Sequence, residues 1–506
     1  MRHIAQERDT NVQPSKYQLD ILDFVQNGHG NGIINAVAGS GKTSTLVMIS
    51  KYVKDGAFLA FGRAIADELA KRLPSTVVAK TFHSLTWYPL NKEIMRRTRR
   101  KMSTPTSYKS DDIFTTAYGK DRRLDTVKET VCRVVALCKG DLTLPSQVTP
   151  TLVADYCEKF GLDWETEHTL SDVSDMVRSV LADGLDTWNV VDYDDFLYMT
   201  IVHNLPLPRF SWVFVDESQD LNAAQREITR RIMKPNARAL FVGDVAQAIY
   251  GFRGADSESM QTIAKEFNCT PLQLSISYRC PKSVVELART IVPVIEPSDT
   301  ADNGTISRPT VWNATDFQTT DLVMCRNTAP LITLAYKMIG QRIGVQIMGR
   351  EIGKALENLV KKILGARGTL DTLPQKLETY QERETAKARA KRQDAKIQAI
   401  QDKVASIFAI LDGMTQQEID GGVPALLKCI SDLFVKDDEK KPVTTLATIH
   451  KAKGLEADRA IILDYGLLPS KYATQEWQLQ QERNLQYVAI TRAKSELIFI
   501  DSSGIE

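Results

Sequence analysis

A loop of small residues that ends in Gly41-Lys42-Thr43 is the first segment with recognisable chemistry. Backbone amides of such a loop can face phosphate oxygens, and a helix that begins there favours bound anions. The lysine can reach the β- and γ-phosphates, and the threonine hydroxyl can ligate Mg²⁺. The strict pattern starts with glycine, where this chain has Ala36. The segment predicts a nucleoside-triphosphate site formed by Ala38, Gly39, Ser40, Gly41, Lys42, Thr43 and Ser44.

Two adjacent acids supply the second part of this chemistry. Asp216 and Glu217 follow the apolar run 212–215, which reads as a strand. Asp216 is the predicted Mg²⁺ ligand beside Thr43, and Glu217 the group that orients and deprotonates the attacking water. Gln247 follows a second apolar run and is a candidate polar sensor. Together these residues predict hydrolysis of the bound nucleotide.

Aromatic residues near the ends of predicted strands form a candidate binding face. Bases stack on such rings with about 1–3 kcal/mol each and little sequence preference. For the rings that follow the strands at 57–63 and 77–84, filling of the core is an equally weighted alternative. The candidates are Phe61, Phe82, His83, Tyr250, Phe252 and the cation Arg253.

The elements that must position these residues alternate between strands and helices, which predicts an α/β fold. The strand, loop and helix around residue 42 follow the order that a phosphate loop requires. Ligands of open α/β sheets collect at the carboxyl ends of the strands, where the candidate residues lie. Gln18, on a predicted helix before the loop, could read an adenine edge or be an ordinary polar helix residue.

Length and composition bound the class of protein. A chain of 506 residues suggests about three or four units. A net charge of +1 gives no global attraction to nucleic acid, so a basic surface has to be local. Seven cysteines without a C-x-x-C pair predict reduced, mostly buried thiols in a cytoplasmic protein. No apolar run approaches a membrane span, and no signal-peptide pattern opens the chain.

Residues from about 90 to 185 change character and read as an inserted helical domain. They carry the basic run Arg96-Arg97-Thr98-Arg99-Arg100-Lys101. Such a run can be a solvated face or can grip a phosphate backbone, and the two interpretations carry equal weight.

At this point the chain resembles a superfamily 1 DNA helicase of the UvrD/Rep/PcrA family. Nine segments occur in that family's order: A-G-S-G-K-T, L-A-F-G-R-A-I-A-D-E-L, T-F-H-S-L, D-Y-D-D-F-L, V-D-E-S-Q-D-L, V-G-D-V-A-Q-A-I-Y-G-F-R-G-A, S-Y-R-C, T-I-H-K-A-K-G-L-E and Q-Y-V-A-I-T-R-A-K. Ala36 is also usual there. The resemblance implies two RecA-like P-loop NTPase domains, with parallel sheets flanked by helices, that clamp ATP between them, and two helical insertions.

The expected domain boundaries follow from that resemblance. RecA-like domain 1A takes residues 1–90 and 185–272, and the helical insertion 1B takes 91–184. RecA-like domain 2A takes 273–350 and 442–506, and a reduced helical insertion 2B takes 351–441. Within 2B, residues 376–411 predict a solvent-exposed helix or helical hairpin arm that packs at its C-terminal end.

The resemblance also implies roles for single residues. Gln18 and Tyr278 resemble the groups that read and stack on adenine, and Glu456 beside Gly454 the acid that meets the ribose. Arg279 and Arg492 resemble two arginine fingers, and Gln247 the γ-phosphate sensor. Phe61, Tyr250, Phe252 and Arg253 resemble the groups that hold single-stranded DNA, with His83 and His450 near that path. Phe82 is a predicted DNA contact from its position after a predicted strand.

The leading hypothesis is an ATP- and Mg²⁺-dependent motor that moves 3′ to 5′ on single-stranded DNA and unwinds duplex in replication, repair or recombination. Single strands and single-strand/duplex junctions are the expected partners, with a monomeric protein and a replication or repair protein as a further partner. An RNA or RNA–DNA helicase of the same superfamily is an alternative. A protein in which ATP gates docking to a partner is another. The short 2B region and the end of the chain after residue 500 favour a compact, phage-type member.

Overall fold

The computed structural model describes residues 13–121, 124–160, 162, 164, 168–249, 259–365, 368–390, 394–435 and 443–505. Two parallel β-sheets, each flanked by helices, organise these residues, so the predicted α/β fold class is confirmed. Among the described helices, none has the length and apolar character that crossing a membrane requires. None of the seven cysteines, all of which are among the described residues, forms a disulfide.

The first sheet is the framework of the N-terminal α/β domain. Its strands are β1 (Asn31–Ala36), β2 (Gly56–Ala60), β3 (Val77–Thr81), β4 (Phe210–Val215), β5 (Met233–Gly243) and β6 (Cys269–Leu274). They lie in the order β3-β2-β4-β5-β1-β6, and every neighbouring pair is parallel. Both faces of such a sheet are covered, so both need apolar residues. Ile34 and Phe58 are buried on one face, and Ile33 and Leu59 on the other.

One helix precedes β1, and one helix follows each of β1, β2 and β3. They are α1 (Lys16–Asn27), α2 (Lys42–Ser50), α3 (Arg63–Arg72) and α4 (Phe82–Thr98). Ile21 of α1 and Leu46 of α2 pack on the face that carries Ile34. Leu85 and Ile94 of α4 pack on the opposite face.

The strand predicted over 77–84 ends three residues early. Thr81 and Ser84 form a capping box: the Ser84 N–H donates to Thr81 Oγ1 at 3.1 Å, and the Thr81 N–H donates to Ser84 Oγ at 2.9 Å. This reciprocal pair satisfies two amides at the start of a helix, so α4 begins at Phe82. The prediction of a strand through residue 84 is therefore wrong for 82–84.

A helical insert follows α4 and has an apolar core of its own. It contains α5 (Lys109–Tyr118), α6 (Asp125–Gly140), α7 (Pro150–Phe160) and α8 (Leu170–Asp186). Buried ion pairs join this insert to α9 (Asp195–Val202): Lys109 Nζ lies 2.6 Å from Asp195 Oδ2, and Lys139 Nζ lies 2.8 Å from Asp195 Oδ1. Separating buried partners would leave uncompensated charge, so the insert is fixed to the N-terminal α/β domain.

The remaining helices of the N-terminal α/β domain are α10 (Ala223–Arg231) and α11 (Ser259–Glu266). The chain then crosses to the second half through a short parallel pair, β7 (Ile276–Ser277) and β8 (Glu296–Pro297), with α12 (Lys282–Arg289) between them.

The second sheet is the framework of the C-terminal α/β domain. Its strands are β9 (Thr305–Ser307), β10 (Leu322–Cys325), β11 (Val345–Met348), β12 (Phe434–Val435), β13 (Thr444–Thr448), β14 (Ala457–Leu463) and β15 (Ala493–Ile500). Their order is β12-β11-β13-β10-β14-β15-β9, and every neighbouring pair is parallel. Helix α13 (Ala329–Gly340) packs on this sheet through Leu331 and Ala335.

The segment predicted as 2B contains five helices, and all but the shortest contribute to the core of the C-terminal α/β domain. They are α14 (Arg350–Leu364), α15 (Leu373–Ala390), α16 (Asp394–Gly413), α17 (Gln416–Asp420) and α18 (Gly422–Leu433). Val404 and Ile407 of α16 are buried in the same apolar cluster as Val323 and Ile461 of the sheet. The Asp402 carboxylate also accepts the Thr328 N–H at 3.0 Å near the start of α13.

The arm expected over 376–411 thus comprises two packed helices, since α15 ends at Ala390 and α16 begins at Asp394. Its C-terminal part is packed, as predicted. Helices α19 (Ile449–Ala452) and α20 (Glu476–Ile490) complete the fold. The four domain boundaries themselves stay a prediction.

Candidate active site

The phosphate loop lies between β1 and α2 and touches the C-terminal half of the chain. Gly39 and Gly41 have φ of 71° and 74°, in the left-handed region that glycine adopts without strain. A Cβ on Gly39 would stand 2.5 Å from Arg279 Cβ. The Tyr278 N–H also donates to the Gly39 carbonyl at 2.9 Å. Glycine at position 39 therefore permits both the turn and the close approach of the segment 278–279.

The predicted catalytic residues of the N-terminal α/β domain lie together. Thr43 Oγ1 donates to Asp216 Oδ2 at 2.8 Å, and Lys42 Nζ lies 3.4 Å from Glu217 Oε1. Glu217 has a φ of 50°, a left-handed conformation that costs free energy in a residue with a side chain. The strain lies at the end of β4, where the two acids must diverge.

Burial and charge set the two acids apart. Burial raises the pKa of Asp216 to about 6, and the neighbouring Glu217 charge adds to the rise. Burial also favours the neutral form of Glu217, but Lys42 and Lys453 outweigh it and lower its pKa to about 2. Glu217 is therefore an ionised carboxylate at neutral pH, the form that a general base needs.

A hydrogen-bonded series connects Glu217 with the predicted sensor. Gln219 Nε2 donates to Glu217 Oε2 at 2.6 Å, and Gln219 Oε1 accepts the Asp244 N–H at 3.0 Å. Gln247 Nε2 donates to Asp244 Oδ2 at 2.7 Å. Gln219 and Asp244 lie in the segments V-D-E-S-Q-D-L and V-G-D-V-A-Q, but sequence reasoning gave them no role. Through them, a displacement of Gln247 would reach the catalytic acid.

Three further contacts join the two halves next to the loop. The Ala38 N–H donates to the hydroxyl of Tyr487, a fully buried residue of α20, at 2.8 Å. Asn484 Nδ2, also on α20, donates to the Ala248 carbonyl at 2.9 Å, close to Gln247. Lys453 Nζ lies 2.6 Å from Asp220 Oδ2. Sequence reasoning missed these joints, because no local pattern links residues more than 200 positions apart.

The two predicted arginine fingers both lie in the second half of the chain. Arg279 Nε forms an ion pair with Glu456 Oε2 at 2.6 Å, and Lys494 shares that carboxylate. Arg492 is buried, and its guanidinium donates to the carbonyls of Val488 (2.8 Å) and Leu455 (3.2 Å). Burial, followed by the charge of Arg279, lowers the pKa of Arg492 to about 10. This repulsion between two positive charges indicates that the two guanidiniums lie near each other.

The predicted adenine and ribose contacts lie around the loop. Gln18 Nε2 donates to Thr45 Oγ1 at 3.0 Å, and its Oε1 accepts the Ser15 N–H at 3.0 Å. Tyr278 is exposed. Gly454 has a φ of 91°, and the turn it makes precedes Glu456. A nucleotide that bound here would compete with the present partners of Gln18 and Glu456.

The residues fit a nucleotide with its metal. Ser40 Oγ is buried in the loop without a hydrogen-bond partner, as expected for a cradle whose polar groups bind an anion. Thr43 Oγ1 and the Asp216 carboxylate are oxygen donors of the kind that Mg²⁺ takes. Among the described residues, no group of three or more His, Cys, Asp or Glu side chains could hold a metal by itself. Phosphate oxygens and water would have to complete the coordination.

The predicted DNA-binding residues divide into several groups. Phe61, just after β2, is 49% exposed and available for stacking. Phe82 is 2% exposed and packs in the apolar core, so its predicted contact with DNA is wrong. The capping box at Thr81 turns Phe82 inward as the first residue of α4. His83 is half-buried, with its ring 6.1 Å from that of Tyr193, and burial lowers its pKa.

Tyr250, Phe252 and Arg253 lie outside the described residues, and their role stays a prediction. His450 borders a cavity of about 580 Å³ beside the second sheet. Thr448 and Asn327, at or just beyond the carboxyl ends of β13 and β10, line the same cavity, as do Tyr472 and Trp477. Helix α16 contributes another wall through Gln398, Asp402 and Lys403.

Replacing Tyr487 with phenylalanine tests the joint between α20 and the phosphate loop. The change removes the acceptor of the buried Ala38 N–H, and an unpaired buried amide costs about 1–3 kcal/mol. We expect ATP turnover per folded molecule to fall roughly 5- to 100-fold, because the contact that holds α20 against the phosphate loop is weakened. Steady-state ATPase with kcat and KM resolved is the measurement.

The matched control is Tyr465→Phe, a half-buried tyrosine of the same domain whose ring packs on Phe499. It should behave as the unmodified protein. A Tyr487→Phe protein with a lowered melting temperature but unchanged kcat and KM would mean that the hydroxyl serves stability alone.

Comparison with known proteins identifies the family of the chain. Residues 20–268 match the model of the UvrD/REP helicase N-terminal domain, and residues 346–504 match that of the UvrD-like helicase C-terminal domain. The chain is 23% identical to F-box DNA helicase protein 1 of Schizosaccharomyces pombe, over 93% of this chain and 55% of that protein. It is 26% identical to the ATP-dependent DNA helicase PcrA of Bacillus subtilis, over 58% of this chain and 41% of that protein.

A third relative is DNA helicase II of Haemophilus influenzae, 23% identical over 52% of this chain and 38% of that protein. The matches thus span between 38% and 55% of the length of these three relatives. The residues matched by the two family models correspond to the two sheets. The first match includes strands β1 to β5, and the second includes β12 to β15.

Proposed function

This chain belongs to the UvrD/Rep helicase family, and from that membership we propose that it is an ATP-dependent DNA helicase that moves 3′ to 5′ on single-stranded DNA. The relatives' names, which include DNA helicase II and ATP-dependent DNA helicase PcrA, support DNA as the track. Replication, repair or recombination is the proposed setting, with strand separation driven by ATP hydrolysis.

One observation carries the proposal: the residues predicted to hydrolyse ATP come from two halves of the chain. Lys42, Thr43, Asp216 and Glu217 come from the N-terminal α/β domain, whereas Arg279 and Arg492 come from the other half. A hydrolase that only needed to cut ATP could hold all these groups on one rigid domain. A site that is complete only when two domains meet couples each round of hydrolysis to closure and opening of the cleft, which a motor requires.

The chemistry follows from the positions of these side chains. Water attacks the γ-phosphorus of ATP, and its proton passes to the ionised Glu217 carboxylate. The bond from the γ-phosphorus to the bridging oxygen breaks, and ADP keeps the electron pair. Negative charge on the transferred group is stabilised by Lys42 and by the two guanidiniums. When bound, Mg²⁺ held by Thr43 and Asp216 would supply further positive charge to the phosphate oxygens.

The single strand is proposed to cross both domains at the carboxyl ends of their strands. Phe61 and His83 mark this path on the N-terminal α/β domain, and the cavity that contains His450 marks it on the other. Tyr472 and Trp477 offer rings for stacking in that cavity, and Asn327 and Gln398 offer hydrogen bonds. With DNA contacts on both domains, closure of the cleft would shift the contacts of one domain along the strand relative to those of the other.

Unwinding of tailed duplexes tests the proposal. Duplexes with a 3′ tail, a 5′ tail or no tail are mixed with the protein and ATP, and ATPase is measured with about 40-nucleotide oligo(dT) or oligo(U). We expect unwinding from the 3′ tail and stronger stimulation by DNA. Unwinding only from the 5′ tail would overturn the polarity, and stronger stimulation by oligo(U) would favour RNA. ATPase that no nucleic acid stimulates would overturn the motor itself.

A further inference from the structure

Helix α4 carries an exposed surface that the proposed DNA path does not yet explain. Tyr88 is 67% exposed and Trp87 is 47% exposed. Tyr193, whose ring contacts that of His83, is 59% exposed. Trp87 and Tyr88 are consecutive residues of α4, and Tyr193 contacts His83 at the start of that helix. Large rings exposed to water are costly unless a partner covers them.

Exposed residues of α4 also form a stripe along the helix. Trp87 lies one helical turn after His83, on the side of α4 that faces Tyr193. Tyr88, Lys92 and Met95 follow one another at spacings of three or four residues and therefore line one stripe of α4, and Arg99 is the left-handed residue that ends the helix. From Tyr88 to Arg99 the distance along the helix is about 16 Å at 1.5 Å per residue. Tyr88 comes five residues after the predicted DNA contact His83, so the stripe starts about 140° further round the helix and runs toward its C-terminal end.

The charge of this surface is strongly positive, in contrast to the net charge of +1 for the whole chain. Between residues 92 and 101 there are six basic side chains and one acidic side chain, Glu93. Glu93 binds Arg96 and Arg97, both at 2.6 Å, and Arg97 also stacks on Trp188. Within the described part of the chain, no carboxylate pairs with the four that remain: Lys92, Arg99, Arg100 and Lys101.

We propose that α4 extends the single-strand path beyond His83, with Trp87, Tyr88 and Tyr193 stacking on unpaired bases and the cations from Lys92 to Lys101 binding the phosphates. The inference rests on the proposed function and adds a second contact region to it. Unpaired bases are the occupant that matches both features, because their faces stack on rings while the linked phosphates meet cations. A duplex hides its base faces and would use the cations alone.

Binding of DNA of two lengths tests this inference. The whole protein is titrated with oligo(dT) of about 8 and about 20 nucleotides, followed by fluorescence anisotropy at fixed salt. The double variant Trp87→Ala/Tyr88→Ala should bind the longer strand about tenfold or more weakly. Its affinity for the shorter strand, which the path at Phe61 and His83 can hold, should change much less. The control is Tyr52→Ala, an exposed tyrosine after the far end of α2.

A charge variant provides an independent measurement. Lys92→Gln/Arg100→Gln should reduce the salt dependence of binding to the longer strand, with the logarithmic slope falling by about 0.7 for each phosphate that is no longer neutralised. Lys51→Gln/Lys54→Gln, with the same change of charge after α2, should leave this slope unchanged.

The outcomes separate this inference from the proposed function. If both double variants bind the longer strand as the unmodified protein does, α4 is not part of the path. If their affinity for duplex falls as much as their affinity for single strands, the surface binds phosphates without reading unpaired bases, and the inference is wrong. If the unmodified protein binds neither strand, the proposed function fails first.

Discussion

Replacing Glu217 with glutamine is expected to lower ATP turnover by about 10²- to 10⁴-fold, the range that a general base contributes. The amide is close in shape to the carboxylate but cannot accept the proton of the attacking water. Because the pKa of Glu217 is about 2, its carboxylate is ionised at every pH at which the protein is assayed, so the variant should be slow at all of them. ATP affinity should be kept, because Lys42 and the loop amides remain. Single-turnover hydrolysis and binding of a fluorescent ATP analogue measure the two quantities.

Glu286→Gln is the matched control for this variant. Glu286 is an exposed carboxylate on α12 that pairs with Arg289 at the surface. Its amide form should turn over ATP normally. A Glu217→Gln protein that loses ATP binding in proportion to turnover would assign Glu217 to holding Lys42 instead of to proton transfer.

Replacing Arg492 with lysine is expected to reduce kcat by about 10³-fold or more, with a smaller change in KM, because arginine fingers contribute 10³–10⁵ to phosphoryl transfer. Three of the five guanidinium N–H groups are already used, by Val488, Leu455 and Thr491. These bonds fix the plane of the side chain and leave two N–H groups for phosphate oxygens. A lysine ammonium has neither the planar fork nor these bonds. Steady-state ATPase at saturating DNA measures the effect.

Because Arg492 is buried, the variant needs a measure of folding. The fraction folded is taken from thermal melts, and kcat is expressed per folded molecule. Arg459→Lys is the control, since Arg459 lies on β14, the neighbour of the strand that follows Arg492, and pairs with Asp321 and Glu496. If Arg492→Lys lowers the melting temperature but keeps kcat per folded molecule, the residue stabilises the end of α20 and takes no part in hydrolysis.

The parts of the site that could be predicted from the sequence are those formed by residues adjacent in the chain. Lys42 with Thr43 and Asp216 with Glu217 each follow a strand, and the parallel order of β1 and β4 brings both pairs to one edge. The Arg492 side chain was assigned through family resemblance, but its anchoring to Val488 and Leu455 required coordinates. The Tyr487 contact with Ala38 joins residues 449 positions apart, and no periodicity reports such a contact.

Phe82 shows why the predicted binding face was partly wrong. Alternation of residues cannot distinguish the end of a strand from the first turn of a helix when a capping box stands between them. The Thr-Phe-His-Ser order contained that signal, because Thr81 and Ser84 are three residues apart. In residues 376–411 the apolar spacing after 397 predicted packing, but the identity of the facing surface depended on strands distant in sequence.

The shared core of α16 and the second sheet also constrains how the chain folds. Leu322 of β10 pairs with Thr445 of β13, and residues 350–433 of the insert lie between these strands in the chain. Pairing of strands that are so far apart in the chain is slow, because bringing them together costs conformational entropy before any contact forms. Helix α16 packs on α13 through contacts that are closer in sequence, and we expect these to form earlier. During synthesis the insert can therefore cover the apolar face of α13 and β10, protecting it from aggregation until the last strands arrive.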